Sequence, residues 1–575
     1  VLDMLFPTGA PSRIPIAAIT GTNGKTTTSR MLAHILKMTG KTVGLTSTDG
    51  VYIDGNLSVP GDMTGPVSAQ MILRDPSVDA AVMEVARGGM LRSGLGFQEC
   101  NVSACLNISA DHLGLRGIDT LEQLARVKRV PIEIATDAAV LNADDALCLQ
   151  MADYTEAKKL CYVTMNPAHP LVKQHIRAGG QAFVLEQGMN GHMITIYDNE
   201  SHTPLVWTHL IPATIEGRAM HNVQNAMFAA ALAMNLGVTL EGIRQGLRTF
   251  DSTYFQAPGR MNIYDEHPFK VILDYAHNPA AVRAMCGLVD RFDVDGRRIV
   301  VLAAPGDRRD EDVREIASIA ASHFDHFICR CDDNRRGRGR DEIAVMLKNQ
   351  LLEKGVPAGH IEVVPDEQEA TTRALEMAEA DDLVLVLGDN VKRSWKQIIY
   401  FNSGAKAEES RSKVPTTIDL PDVEGFAFDE SIEIISDERG VRIARVQRSL
   451  GGPDSRLERR SLVFGEPRPV FTLERPAVPQ LTGRGDDNHL RPGITGHVGD
   501  VRQILPKVPD NLFPQALIPA IGIETDRAFE NGFHLAGQRF FCTVTRLRLL
   551  VGSPQGRTQN RERTELTQPS PAFAN

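Results

Sequence analysis

From Ile14 to about Ala135 the chain alternates short apolar runs with longer stretches whose apolar residues recur at helical spacing. The runs are IPIAAIT, KTVGLTST, DAAVMEVA and NVSACLNIS, and TSRMLAHILKMTG lies between the first two. Such alternation predicts βαβ units around a mainly parallel sheet. After a polar break at DNESHTPLV comes MHNVQNAMFAAALAMNLG, a helix whose small residues predict close packing against a neighbour. This first α/β domain is assigned to residues 14–255.

A second alternating pattern follows Ala257-Pro258-Gly259-Arg260: KVILDYA, AAVRAMCGLVDRF, RRIVVLAAPGD, VREIASIAASHF, DHFICRC and DDLVLVLGD. It predicts a smaller, Rossmann-like doubly wound sheet over 256–430. Beyond about Val446 the texture changes to scattered Pro, Gly and Arg, with a sustained period only near QRFFCTVTRLRLLV. Residues 431–575 are therefore expected to be a poorly ordered extension. Residues 1–13 read as a linker broken by Pro7, Gly9 and Pro11, and because the chain opens on Val1 a preceding segment is expected.

A length of 575 residues suits three or four folded units. The net charge of -10 is spread along the chain, so nothing marks a nucleic-acid surface. Eight cysteines without a CxxC pair suit neither a zinc ribbon nor a disulfide framework. No apolar run reaches bilayer length and no signal peptide stands at the start, so the expected setting is cytoplasmic, with no membrane.

Against this background the junction of IPIAAIT with Gly21-Thr22-Asn23-Gly24-Lys25-Thr26-Thr27 stands out. A glycine-rich loop leaving a strand and opening a helix aims backbone N–H groups at phosphate oxygens. Lys25 would neutralise the β- and γ-phosphates and Thr26 would ligate Mg²⁺. The loop is a variant of G-x-x-x-x-G-K-[ST], since Ile19 stands five before Gly24, and a plain Gly-rich turn is the alternative. Glu84 and His112 close two further apolar runs, where side chains gather at the carboxyl edge of a parallel sheet. A carboxylate there can hold a second cation, and a neutral imidazole can ligate one. A solvated glutamate and a surface histidine are the competing accounts.

GTNGKTTT, the glutamate of EVARGG, NISADHLG, LNADD, MHNVQNA, APGRM and DYAHNP occur in the order found in the Mur ligase superfamily. They run from about Ile16 to Asn390. The longer strings RIPIAAITGTNGKTTTSRMLAHILK, STDGVYIDG and EVARGGMLRSGLGF resemble the Mur-ligase-like module of the cyanophycin synthetases. The resemblance implies a ligase that phosphorylates a carboxylate with ATP and lets an amine displace the phosphate. For that module the resemblance implies L-arginine as the amine and the aspartate side chains of a poly-aspartate backbone as the acceptor.

Carried over by residue, the resemblance gives Lys25 and Thr26 to the phosphates and first Mg²⁺, and Glu84 and His112 to a second. Lys128 lies near the place of a carbamylated lysine that supports that metal; an exposed helix lysine is the alternative. Asn222 and Asn225 match an element lying against adenine, with helix packing as the other account. Arg260 and Asp274 match positions reaching the γ-phosphate and the ribose after domain closure, and His277 and Asn278 follow at the same strand end. Asn142, Asp144 and Asp145 read as turn builders. The loops carrying Asp307 and Arg308, and Asp332, Asp333 and Arg335, would select the amino acid, unless they are simply solvated charges.

The cyanophycin synthetases also carry an ATP-grasp module ahead of this one, so an upstream ATP-grasp module is an expected partner, and a homo-oligomer is expected. The folylpolyglutamate synthetases and the UDP-MurNAc-peptide ligases share the phosphoryl chemistry and remain alternatives. The loop's start only about twenty residues in argues against the latter's sugar-binding domain. A truncated ATP-binding remnant without turnover is the reading from another class.

Overall fold

The computed structural model describes residues 13–402, 432–437 and 439–445, and further along 524–525, 530–535, 538–552 and 558–566. The linker assigned to residues 1–13, save Arg13, and most of the expected extension from 431 onward lie outside the described residues.

The first domain is built on eleven strands. They are β1 Ile16–Thr20, β2 Val43–Ser47, β3 Gly50–Ile53, β4 Asn56–Pro60, β5 Ala80–Glu84 and β6 Cys100–Cys105. Then come β7 Ala135–Asn142, β8 Lys159–Thr164, β9 Gln181–Gly188, β10 Gly191–Asp198 and β11 Ser201–Trp207. The order is β11-β10-β9-β8-β7-β6-β1-β5-β2-β3-β4. Every pairing from β2 through β5, β1, β6, β7 and β8 to β9 is parallel, and the hairpins β3–β4 and β10–β11 continue the sheet antiparallel at either side.

Both faces of the parallel region are covered, which is why its strands read as continuous apolar runs. On one face Met31, Leu32, Ile35 and Leu36 of the helix Lys25–Met38 pack with Ala226, Phe228, Ala229 and Leu232 of Met220–Asn235. The alanines let the two helices and the sheet approach closely, as the sequence suggested. On the other face Leu124 and Ile132 of Leu121–Glu133 cover β6 and β7. Truncating Leu32, fully buried here, would cost about 2–5 kcal/mol in lost transfer energy and cavity.

The second domain has six strands: β12 Asn262–Tyr264, β13 Lys270–Asp274, β14 Arg298–Leu302, β15 His326–Cys329, β16 Ile361–Val363 and β17 Leu383–Leu387. Their order is β12-β13-β17-β14-β15-β16, parallel except for β12. Apolar clusters again fill both faces.

A hairpin of β18 Ile432–Asp437 and β19 Gly440–Arg445 lies on the first domain. There the Val441 N–H donates to His175 Nδ1 (2.8 Å), Arg439 donates to the Thr155 carbonyl, and Arg442 pairs with Asp153. Residues 469–575 form a separate unit, whose described strands pair antiparallel. The periodic stretch QRFFCTVTRLRLLV falls in one of them, Gln538–Gly552.

Candidate active site

The parallel strands β1, β5 and β6 end side by side, and the loops leaving them form one cluster. Leaving β1, the loop of residues 21–24 enters the helix Lys25–Met38 through Gly24, at φ 85°. A Cβ on Gly24 would stand 2.3 Å from Asn225 Oδ1, and one on Gly21 (φ 148°) would stand 2.9 Å from Leu106 Cβ. Glycine is required at both positions by conformation and by space. No side chain caps this helix, so its first-turn N–H groups are left for an anion. Lys25 Nζ meanwhile donates to its own loop at the Thr22 carbonyl (2.8 Å).

The segment after β6 pins the loop. Thr22 N–H donates to the Asn107 carbonyl (2.9 Å) and Asn23 N–H to Asn107 Oδ1 (2.8 Å), while Ser109 N–H donates to Thr22 Oγ1 (3.0 Å). The turn builders foreseen in LNADD support that segment from beneath. Asn142 donates to the Leu106 carbonyl (2.7 Å), and Asp145 accepts from Ile108 N–H (2.7 Å) while capping the helix Ala146–Leu149. Asp144 accepts from Thr164 and Met165.

Glu84, at the end of β5, is buried rather than solvated. Its carboxylate accepts from Thr26 Oγ1 (3.2 Å), Thr48 Oγ1 (2.8 Å) and Thr48 N–H (3.2 Å). Three oxygen-bearing side chains thus converge beside the phosphate loop, a donor set suited to a hard cation such as Mg²⁺. The sequence reading missed Thr48, which lies in the tight β2–β3 turn.

His112, with φ 57°, belongs to a second cluster. Asp111, His112 and His277 place ligand atoms within 4.8 Å of one another. His277 Nδ1 faces the Tyr275 carbonyl (2.8 Å), which directs Nε2 towards Asp111 (4.0 Å). Among them lies Arg308, at 2.9 Å from both Asp111 and Asp307 and at 2.9 Å from His112 Nδ1. Burial alone would raise the pKa of Asp111, but Arg308 and His277 outweigh it and hold the carboxyl at about 2. Burial lowers His112 to about 4, so its imidazole is neutral at neutral pH. The expected ligands Glu84 and His112 therefore belong to different sets of contacts, and the second set draws on Asp111 and His277.

Lys128 is not an exposed helix lysine. It is 4% exposed and donates to the Gly21 carbonyl at 2.5 Å, beneath the phosphate loop. Burial and the nearby charge of Lys25 lower its pKa to about 7. Only the packing of Leu121–Glu133 against the sheet reveals this. In sequence the lysine sits among the charges of LARVKRV and looks solvated.

Asn222 and Asn225 are buried and engaged within the protein. Asn222 donates to the Ala213 carbonyl (2.8 Å), Asn225 donates to Asn222 Oδ1 (3.0 Å), and Thr28 donates to Asn225 Oδ1 (3.3 Å). The bond from Thr28 ties Asn225 to the helix that leaves the phosphate loop, with Asn225 Oδ1 lying close against Gly24. Asp274 accepts from Met261 N–H (2.8 Å), and this fixes the turn that aims Arg260. Arg260 donates to Thr26 Oγ1 (3.3 Å) from the second domain and lies over the Tyr275 ring, 5.0 Å from its centroid. Asn278, which caps the helix Pro279–Val289, exchanges amide hydrogen bonds with Asn23 of the loop (2.9 and 3.1 Å). The carboxyl ends of both sheets thus meet at one place.

The loops expected to select the amino acid divide. Asp332 lines a cavity at the ends of β13, β14, β15 and β17 together with Tyr275, Arg308, Arg330, Arg336 and Asp389. Asp333 instead pairs with Arg393 (2.8 and 3.1 Å), and Arg335 is exposed. Arg330, buried at the end of β15 and bound to Asp332 (3.0 Å), Glu367 (3.2 Å) and the Leu387 carbonyl (2.6 Å), was not foreseen. An arginine directly after the apolar run HFIC was its one signal.

Residues 19–233 match the Mur ligase middle domain, and residues 259–390 match the Mur ligase glutamate ligase domain. A UDP-N-acetylmuramoyl-L-alanyl-D-glutamate--2,6-diaminopimelate ligase from Corynebacterium efficiens is 30% identical, covering 66% of this chain and 70% of that protein. The chain belongs to the Mur ligase family. Within that family it is 47% identical over 396 residues to a cyanophycin synthetase from Synechocystis, covering 68% of this chain and 44% of that one. The chain spans about half the length of the cyanophycin synthetases it matches. The Mur ligase fold is shared with a bifunctional folylpolyglutamate synthase/dihydrofolate synthase from Yersinia pestis, solved with AMPPNP and Mn. That match has a TM-score of 0.50 at 22% identity and covers 67% of this chain and 88% of the other. No helix of the described residues is long and apolar enough to cross a membrane.

Proposed function

We propose that this chain is an ADP-forming, ATP-dependent acid–amino-acid ligase that joins L-arginine to aspartate side chains of a poly-aspartate acceptor. The observation that carries the reading is the meeting of the phosphate loop, Glu84 and the Asp111–His112–His277 cluster of one sheet with Arg260 and the charged cavity of the other. The likeness to cyanophycin synthetases supports the choice of arginine and of the acceptor.

The uncapped N–H groups at the start of Lys25–Met38 bind the β- and γ-phosphates of ATP, and Lys25 swings from the Thr22 carbonyl to neutralise them. Arg260, already at Thr26, bears on the γ-phosphoryl group as it passes to the acceptor carboxylate and ADP departs. The amine then attacks the acyl carbon, the bond to phosphate breaks, and the amine loses its proton. The oxygen set of Thr26 and Glu84 fits Mg²⁺, which would disperse the charge on the phosphates, while His112, Asp111 and His277 would hold a second cation only with Arg308 drawn away from Asp111 and His112. Lys128 holds the loop from below through the Gly21 carbonyl, in reach of Lys25's charge.

Purified protein given Mg-ATP and synthetic poly-aspartate should release ADP only when arginine is added. ADP release indifferent to arginine would overturn the reading. Screening folate-type and UDP-sugar-peptide acceptors in the same assay separates the related ligase activities.

A further inference from the structure

The cavity at the ends of β13, β14, β15 and β17 has a volume of about 430 Å³ including its open mouth. Each arginine in its wall already has a carboxylate. Arg308 has Asp111 and Asp307 (2.9 Å each), Arg330 has Asp332 (3.0 Å) and Glu367 (3.2 Å), and Arg336 has Asp307 (2.5 Å).

Asp389, directly beyond β17, differs. It is half-buried, and among the described residues its carboxylate accepts no hydrogen bond and joins no ion pair. Only its backbone N–H is engaged, by Glu367 (3.2 Å), which fixes where the side chain starts. Burial and the neighbouring charge of Asp332 push its pKa up to about 6. The charges of Arg330 and Arg336 offset part of this, but both guanidiniums are bonded to other carboxylates, so Asp389 keeps room for a direct cationic partner. The scaffold holds the position on either side, since Gly388 packs against Leu273 and Asn390 caps the helix Val391–Tyr400.

We infer that Asp389, flanked by Asp332, receives the cationic side chain of the incoming amino acid. A planar guanidinium suits this place, because its fork of donors can serve two carboxylates at once. Arg308 and Arg336 also line the cavity, and an α-carboxylate there would share their guanidiniums with Asp111 and Asp307. The inference rests on the ligase reading and names the residue that sets its amino-acid specificity.

The test compares arginine with citrulline, which keeps the shape, α-amine and α-carboxylate but carries no side-chain charge. Calorimetric titration of the full chain, with Mg²⁺ and a non-hydrolysable ATP analogue, should show arginine bound at least about tenfold more tightly, the scale of one charge-assisted contact. Asp389→Asn should abolish that preference while leaving citrulline affinity unchanged. Equal affinities in the wild type, or a preference that survives in Asp389→Asn, overturn the assignment, as does an equal loss for both ligands, which would place the α-amine at Asp389. The wild-type comparison decides even where the variant fails to fold. Arginine preference without any ADP release would sink the ligase reading alone. Equal ADP release with citrulline would sink this inference alone.

Discussion

Lys128→Met should make the protein more stable at low pH while suppressing its turnover. The side chains are similar in length, and Met brings no charge beneath the phosphate loop. The folded pKa of Lys128 is about 7 against an ordinary 10.5, equivalent to about 5 kcal/mol of penalty for holding the ammonium in place. A depressed pKa contributes stability that is fully present above 10.5 and is lost as pH falls through 7. The wild type should therefore gain about 3 kcal/mol between pH 6 and pH 9 from this residue, and Lys128→Met should lack that gain. Losing the hydrogen bond to the Gly21 carbonyl offsets about 1 kcal/mol of the variant's advantage. Chemical denaturation of both proteins at pH 6 and pH 9 measures the difference. The variant should be ahead at pH 6, with the gap narrowing by about 3 kcal/mol at pH 9. A gap of the same size at both pH values would refute the reasoning. The same depressed pKa leaves much of the amine neutral above pH 7 and able to add CO₂. A carbamate resonance from ¹³C-bicarbonate, absent in Lys128→Met, is the companion observation.

Three further outcomes follow from the geometry. Lys25→Ala should lower the rate of ADP release by orders of magnitude with little change in melting temperature, since among the described residues Nζ hydrogen-bonds only to the Thr22 carbonyl of its own loop. Gly24→Ala must place a methyl group 2.3 Å from Asn225 Oδ1 at φ 85°, so nucleotide affinity measured by titration should fall at least tenfold, at a cost of about 1–3 kcal/mol in stability. Arg308→Ala leaves Asp111 without its guanidinium. The pKa of Asp111 should rise from about 2, and the roughly 2–3 kcal/mol of stability that the wild type keeps above pH 4 and loses as pH falls through 2 should be lost at higher pH, followed by acid titration of the circular dichroism signal.

What could be read from the sequence was local. The phosphate loop follows from glycines between a strand run and a helix run, and the helix Met220–Asn235 from its alanine-rich period. Both depend on residues close together in the chain. What could not be read depends on distant packing. Thr48 meets Glu84 because β2 and β5 are neighbours, and Lys128 is buried because Leu121–Glu133 lies on β6 and β7. Arg308 reaches Asp111 only once the two sheets face each other. For Asn225 the resemblance implies an adenine contact with helix packing as the alternative, and no run of sequence shows that its carbonyl oxygen stands where a Gly24 side chain would be. The charged run from Asp332 to Glu342 could not be divided by composition, since Asp332 and Asp333 differ only in which way the strand end turns them.

The exchange of amide hydrogen bonds between Asn23 and Asn278 bears on how the protein responds to ionic strength. It joins the two domains without charge, so dissolved salt leaves it largely untouched. The contacts beside it, Arg260 with Thr26 and Arg308 with Asp111, are cationic, and Arg308 is shielded from solvent. Screening acts over about 8 Å at physiological salt and reaches buried pairs least. The closed arrangement should therefore persist in brine that would separate domains joined by surface ion pairs, leaving substrate entry to respond to salt chiefly through the open cavity at Asp389.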